Sequence, residues 1–372
     1  MNLADMLSYA DIKELSRIAR NYDCACNLNS KHELIQSILI QVNRSDRFQQ
    51  EVGSLEVEEI RFLNSLLFDA RDTFSLEELT ARVRLTKFVK EEKDTINPRE
   101  IIARFKQRGW LFNGHSQQTR YLFQFPADLK RRFCETLSKQ FQHQLVGFKE
   151  TPSVYREEQR MLEEDLYRFL EFVAPQPVAL NAEGYLYKRT LQQILEGFSV
   201  QEEPVPKAAW RFGYGRRFKE YPSRFSFLYD YCYYNELVVE EGTLLSLTDK
   251  GRKRLEEGTL EDPRQVYRFW LRLYKGPVPN LQSLAQWMDL LARQWVTTET
   301  LSRALTPLIK PFYYDSPESI MEQRVIRMMM HLGLLKLGEH DRWGTAVQIT
   351  SSGSKIIQGT YVPEDDGIVI SV

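Results

Sequence analysis

The chain of 372 residues is 42% hydrophobic and 12% aromatic, enough for two or three domains that each bury a core without disulfide or metal staples. Its 50 basic and 51 acidic residues cancel, which excludes nucleic-acid binding by bulk charge and leaves only local basic faces. Four scattered cysteines rule out a secreted disulfide framework, the start MNLADMLSYADIKEL lacks an apolar leader core, and no run approaches bilayer length; a cytoplasmic location and no membrane partner are expected.

Residues 1–50 read as a small helical module. Ile12, Leu15, Ile18 and Ala19 follow helical spacing, and Ser30-Lys31-His32-Glu33 is a capping box opening a second helix that buries Leu34, Ile35, Ile38, Leu39 and Val42. Cys24 and Cys26 lie between the two. Without a second Cys/His pair at zinc-finger spacing, small residues packed in a short connection are the preferred reading. The capped pair, with S-K-x-E-L-I at its second start, resembles the SAP, LEM and helix-extension-helix modules. An ordinary docking hairpin remains the alternative.

Over residues 51–150 the spacing predicts three helices and a hairpin. A helix covers 57–69, a capped one starts at Ser75-Leu76-Glu77-Glu78, and a third starts at Asn97-Pro98-Arg99-Glu100 and is closed by Gly109. WLFNGHSQQTRYLFQF then gives two β-rich runs around Asn113-Gly114, completing the order of a winged helix.

Residues 151–260 open on an amphipathic helix expected over 157–173, followed by apolar Pro177-Val178-Ala179-Leu180, a turn over 181–184 and a helix begun by Lys188 and Arg189. FSFLYDYCYYNEL leads into the hairpin LVVEEGTLLSL, which ends on Thr248-Asp249-Lys250-Gly251. This phrase recurs in residues 261–372: a helix over 319–331 runs into GLLKLGEHDRWGTAVQIT and Thr350-Ser351-Ser352-Gly353. In each copy the threonine caps the next turn and the glycine permits close approach. VPEDDGIVISV is expected to supply a C-terminal strand. The expected fold class is mainly α with small β-hairpins: tandem winged-helix units preceded by a small helical module.

No phosphate-binding G-x-x-x-x-G-K-[ST] loop, G-x-G-x-x-G turn, G-x-S-x-G elbow or H-E-x-x-H helix occurs, so neither catalysis, a cofactor nor a metal is expected. PVALNAEGYLYKRTLQQIL, FLYDYCYYNELVVEEGTLLSLTDKGRKRL and DPRQVYRFWLRLYKG resemble successive phrases of the N-terminal, non-motor domain of XPB-type DNA repair helicases. The resemblance implies a non-catalytic region of winged-helix-like units associated with DNA damage recognition or with contacts beside a helicase motor. With no Walker motif present, any ATPase belongs to another polypeptide.

A winged helix commonly sets its third helix in the major groove and its wing along phosphates. The candidate DNA-binding residues are therefore Arg99, Arg104, Lys106 and Arg108 on or after the first unit's third helix, and Arg120 in its hairpin, with Lys130, Arg131 and Arg132 just beyond it. In the central unit they are Lys188, Arg189, Trp210, Arg211, Tyr214, Arg216, Arg217 and Lys219. WRFGYGRRFK interleaves cations that neutralise phosphates with aromatics that stack on unpaired bases; the competing reading is core aromatics whose arginines pair with nearby acids. Arg324 and Arg327 are expected on the exposed face of a helix that packs Met328, Met329 and Met330. The expected function is a non-catalytic accessory factor binding duplex or forked DNA beside a separate helicase or nuclease. The alternative is a protein–protein adaptor that binds a motor protein without touching DNA.

Overall fold

The computed structural model describes residues 1–87, 97–206, 212–363 and 366–368. The chain is mainly helical with small antiparallel sheets and divides into two compact units, Met1–His143 and Gln144–Val372.

The first unit begins with α1 (Leu3–Tyr9), α2 (Ile12–Asn21), α3 (Lys31–Asn43) and α4 (Ser45–Gly53). Their starts are locally encoded: Glu14 N–H donates to Asp11 Oδ1 at 2.8 Å and Glu33 N–H to Ser30 Oγ at 3.4 Å. Next come α5 (Val57–Leu67), β1 (Thr73–Phe74), α6 (Leu76–Leu85), α7 (Pro98–Gln107), β2 (Phe112–Asn113), β3 (Phe123–Gln124) and α8 (Ala127–Gln142). The sheet order is β1-β3-β2, all antiparallel. Phe62, Phe105, Trp110 and Phe133 form its core, each ring tilted or edge-on to the next at 4.8–5.3 Å. Phe48 of α4 joins that chain at 4.8 Å from Phe133, and Tyr22 donates to Arg108 O at 2.9 Å, so α1–α4 share one core with α5–α8 instead of standing apart at residue 50.

The second unit contains β4 (Gly147–Phe148), β5 (Val154–Arg156), α9 (Met161–Val173), β6 (Val178–Ala179), α10 (Lys188–Glu196), α11 (Ser223–Tyr234), β7 (Val238–Glu241) and β8 (Leu244–Leu247). Beyond them lie α12 (Asp249–Glu256), α13 (Pro263–Leu273), α14 (Leu281–Leu291), β9 (Trp295–Thr297) and α15 (Thr298–Leu305). A composite helix comes next: α16 (Pro317–Ser319), a π-helical stretch Ile320–Ile326, and α17 (Arg327–His331). β10 (Leu335–His340), β11 (Gly344–Ile349) and α18 (Ser351–Gln358) complete it. Helix α9 starts four residues later than expected because 154–156 is extended and Arg160 turns the chain in the left-handed region (φ 66°).

One order of elements, helix, strand, two helices, two strands, occurs three times: α5 to β3, α9 to β8 and α14 to β11. Each time the first strand pairs with the third, giving β1-β3-β2, β6-β8-β7 and β9-β11-β10. The third helix of each repeat ends the same way. Gly109, Glu236 and Gly333 take positive φ, and the next residue's N–H bonds back five residues: Trp110 to Phe105 O, Leu237 to Cys232 O, Leu334 to Met329 O. That closure throws Trp110, Leu237 or Leu334 into the core and launches the hairpin.

The T-x-x-G phrase has the packing reason expected. Thr248 and Thr350 accept from Gly251 N–H and Gly353 N–H at 3.0 and 2.9 Å. A Cβ on either glycine would lie 2.2 Å from Leu237 O or 2.1 Å from Leu334 O, so no larger residue fits. β4 and β5 extend the last sheet on both edges, in the order β4-β9-β11-β10-β5. Residues 144–150, assigned by sequence to the first winged unit, thus belong to the third repeat. The described part of VPEDDGIVISV forms no strand; Ile368 N–H bonds Arg272 O at the end of α13 instead. Residues 369–372 lie outside the described residues.

Buried charge ties the second and third repeats together. Arg224, fully buried at the start of α11, lies 2.7 Å from Asp165 Oδ2 and 3.6 Å from Glu158 Oε2. His331 Nδ1 sits 2.8 Å from the same glutamate oxygen. Burial alone pushes the Glu158 carboxyl up, but His331, Arg224 and Arg156 outweigh it and hold the group below the ordinary glutamate value.

Candidate nucleic-acid interface

The third helices carry fewer free cations than their sequences promise. On α7, Arg99 is exposed, with no carboxylate partner among the described residues. Arg104 Nε lies 3.5 Å from Glu59 Oε1, and Arg108 Nη1 donates to that same oxygen at 2.9 Å. Glu59 is buried and needs counter-charge, which turns both arginines inward. Lys106 donates to Asn113 Oδ1 at 2.5 Å and lies 3.8 Å from Glu14. Helix α11 is buried continuously from Arg224 to Cys232 and presents no groove-reading face. On the third composite helix Arg327 is exposed and Met328, Met329 and Met330 pack, as expected. Arg324, expected outside, is buried, donating to Asp315 Oδ2 at 2.9 Å and Phe212 O at 2.7 Å. The π-helical turns explain the difference: an extra residue per turn rotates the faces away from 3.6-residue periodicity.

The aromatic-basic loop folds inward where it is described. Trp210 and Arg211 lie outside the described residues. Tyr214 is a core residue, edge-on to Tyr274 at 4.9 Å and Phe312 at 5.7 Å. Arg216 grips Glu240 with both terminal nitrogens at 3.3 and 3.0 Å and covers the Tyr233 ring at 3.5 Å. Arg217 donates to Glu240 Oε2 at 2.9 Å and to Glu183 O at 3.1 Å. A Cβ at Gly184 would lie 2.6 Å from that guanidinium. Burial pushes the Glu240 carboxyl up, yet Arg216, Tyr229 and Arg217 hold it below its ordinary value. Buried Asp230 goes the other way: desolvation pushes it up to about 7, although it accepts Arg216 N–H at 2.9 Å. The reading of this loop as core aromatics and acid-paired arginines therefore fits its described part. Lys219, Lys188 and Arg189 are exposed, the last two at the start of α10. Lys130 and Arg132 donate to backbone carbonyls, Asp69 and Arg71 for the lysine, Val42, Asn43 and Arg44 for the arginine, while Arg131 is exposed.

Two hairpin tips also hold outward cations, each laid on an aromatic ring. In the first repeat Arg120 stacks over Tyr121, which is 70% exposed, at 4.5 Å from its centroid. In the third, Arg342 stacks over the neighbouring Trp343 at 4.6 Å. Trp343 lies parallel to Phe148 at 6.3 Å, His340 sits 4.8 Å from Phe148, and Lys149 is exposed beside them. Neither Arg120 nor Arg342 has a carboxylate partner among the described residues. The second tip, by contrast, is acidic: Glu240 is clamped as above and Glu241 is exposed.

An arginine laid on an aromatic ring keeps its planar fork of N–H donors oriented while its charge stays available, which suits phosphate oxygens. The sequence reading missed Arg342 and Trp343. The signal was T-R-Y (119–121) against D-R-W (341–343) at equivalent hairpin tips. Among the described residues no group of His, Cys, Asp or Glu could hold a metal ion, and no helix is long and apolar enough to cross a membrane. Comparison with known proteins yields no matching family model, no matching curated protein and no matching solved structure.

Proposed function

We propose that the chain is a non-catalytic DNA-binding protein of three winged-helix units that holds duplex or forked DNA mainly by its wing tips, as an accessory to a separate helicase or nuclease. The observation that carries this is the pair of outward Arg-aromatic tips, Arg120-Tyr121 and Arg342-Trp343, on two of the three repeats of helices and a small antiparallel sheet. The resemblance of the central region to the non-motor domain of XPB-type helicases supports the accessory role. The cytoplasm is the location that goes with it. Modest affinity and steep salt dependence are expected, because only local cations release counterions.

The test is anisotropy of labelled duplex, forked and single-stranded DNA over a salt series. R120Q/R342Q is expected to weaken binding about tenfold and to flatten the slope of log K against log salt by about 2. Absence of binding to all three DNAs at low salt defeats the proposal. A second reading, the adaptor, draws on the buried α11, which leaves no groove-reading helix in the second repeat, and on the inward Arg104 and Arg108 of the first repeat and Arg216 and Arg217 of the second. Recovery of a motor protein by the chain, unchanged by nuclease treatment, selects it.

A further inference from the structure

Helix α13 has a row of arginines that neither the wing tips nor the third helices use. Arg264, Arg268 and Arg272 recur every four residues, so they share one face at a spacing of about 6 Å along the axis. The remaining face buries Val266, Tyr267, Trp270 and Leu273. Across the row lies a segment of the chain itself. Asp366 bridges two of the arginines, Oδ2 to Arg268 Nη2 at 2.9 Å and Oδ1 to Arg272 Nε at 2.7 Å. Backbone contacts place it there: Ile368 N–H donates to Arg272 O at 3.1 Å, Lys275 Nζ donates to Pro363 O, and buried Val362 donates to Gln282 Oε1 at 2.8 Å.

We propose that Arg264, Arg268 and Arg272 form a binding site for the phosphodiester backbone of a nucleic acid, which Asp366 covers in the free protein as an internal anion. The proposal rests on the DNA-binding function proposed for the wing tips and adds a regulated site to it. A carboxylate whose two oxygens each take one guanidinium occupies the position that the two unesterified oxygens of a phosphodiester would fill. Arg264 is exposed without a carboxylate partner among the described residues, which leaves an open end of the row where a strand first lands. The cover is releasable: its ion pairs are 25–45% exposed, and pairs of that kind contribute little to stability. Glu364 and Asp365 precede Asp366 in sequence and lie outside the described residues. No large apolar side chain of α13 is exposed, so the face has no anchor of the kind that protein partners use and favours a strand of regularly spaced charges.

The experiment compares the full chain with D366N and with E364Q/D365N/D366N by anisotropy on labelled duplex and single-stranded DNA, each variant first shown to melt like the parent. D366N should tighten binding about threefold and the triple variant about tenfold at low salt, with the salt slope steeper by about 1 to 2. Adding R268Q/R272Q to the triple variant should abolish the gain, while the same arginine changes in the parent should move affinity by less than about twofold. Equal affinity of parent and triple variant overturns the proposal, as does a gain that survives R268Q/R272Q. An equal gain for polyglutamate also overturns it, since the row would then take any acidic chain. The two readings separate cleanly: DNA binding that R120Q/R342Q weakens and the triple variant leaves unchanged sinks only this one. Binding by the triple variant alone sinks only the wing-tip reading. Binding by neither sinks both.

Discussion

The second and third hairpins grow from the same local grammar and differ in how their arginines are placed. At 238–247 the charges face one another: Glu240 neutralises Arg216 and Arg217 from the preceding loop and accepts a bond from Tyr229 at 2.7 Å. At 335–349 the tip carries Arg342 on Trp343, with no acid answering it among the described residues. A shared element order and strand order therefore says nothing about whether a hairpin is structural or available. The arrangement of charge around it does, and in the second repeat Glu240 of the hairpin uses up the cations that the preceding loop would otherwise offer a ligand.

The strongest way to break the contrast is to remove an inward charge. Arg224→Met should lower stability by about 3–5 kcal/mol, read by chemical denaturation, because Asp165 and Glu158 would lose the buried guanidinium between them and keep only the partly exposed Arg168 and Arg156. Glu158 also sets an acid limit. Its carboxyl is held below the ordinary value, so its stabilisation is complete above the unfolded pKa and is lost as pH falls through the folded one. Next in size, Glu240→Gln should cost about 2 kcal/mol by unpairing two arginines, with little direct effect on DNA affinity in the folded variant.

Asp230→Asn should have the opposite sign at neutral pH. Its folded pKa of about 7 exceeds the unfolded value near 4. The group thus favours the folded state in acid, and that contribution is lost as pH rises from about 4 through 7. The variant should melt higher than the parent at pH 8, and the difference should vanish near pH 4. Glu236→Gly, which relieves a left-handed residue at the position Gly109 and Gly333 occupy elsewhere, should stabilise by about 0.5–1 kcal/mol. Smallest of all, Arg342→Gln should move stability by less than about 0.5 kcal/mol. A larger loss there would mean that the third tip is as structural as the second, and the comparison would collapse.

Much of the architecture was legible because its signals are local. Ser30, Ser75, Asn97, Thr248 and Thr350 each accept the N-terminal amide bond their position promised, and all three hairpins form where alternating apolar residues meet a polar tip. Other features left no local trace. Strands β1 and β9 are two and three residues long and exist only by pairing, β1 with β3 and β9 with β4 and β11. Helix α11 starts after Pro222 without a capping side chain of its own, because Glu202 accepts from Arg224 N–H at 3.0 Å and Phe225 N–H at 2.8 Å. The π-helical widening that buries Arg324 likewise breaks the period from which its exposure was judged.

By itself the sequence determined where the side-chain-capped helices start, much of the apolar core and that a helix-and-hairpin phrase recurs, since backbone capping, turn geometry and apolar periodicity act over a few residues. Only the tertiary structure decided which cations remain available. Arg108 meets Glu59 across 49 residues, Arg216 meets Glu240 across 24 and Arg272 meets Asp366 across 94. A guanidinium finds its carboxylate through space, and the desolvation of each buried acid, set by packing, decides which arginines turn inward and which still face a ligand.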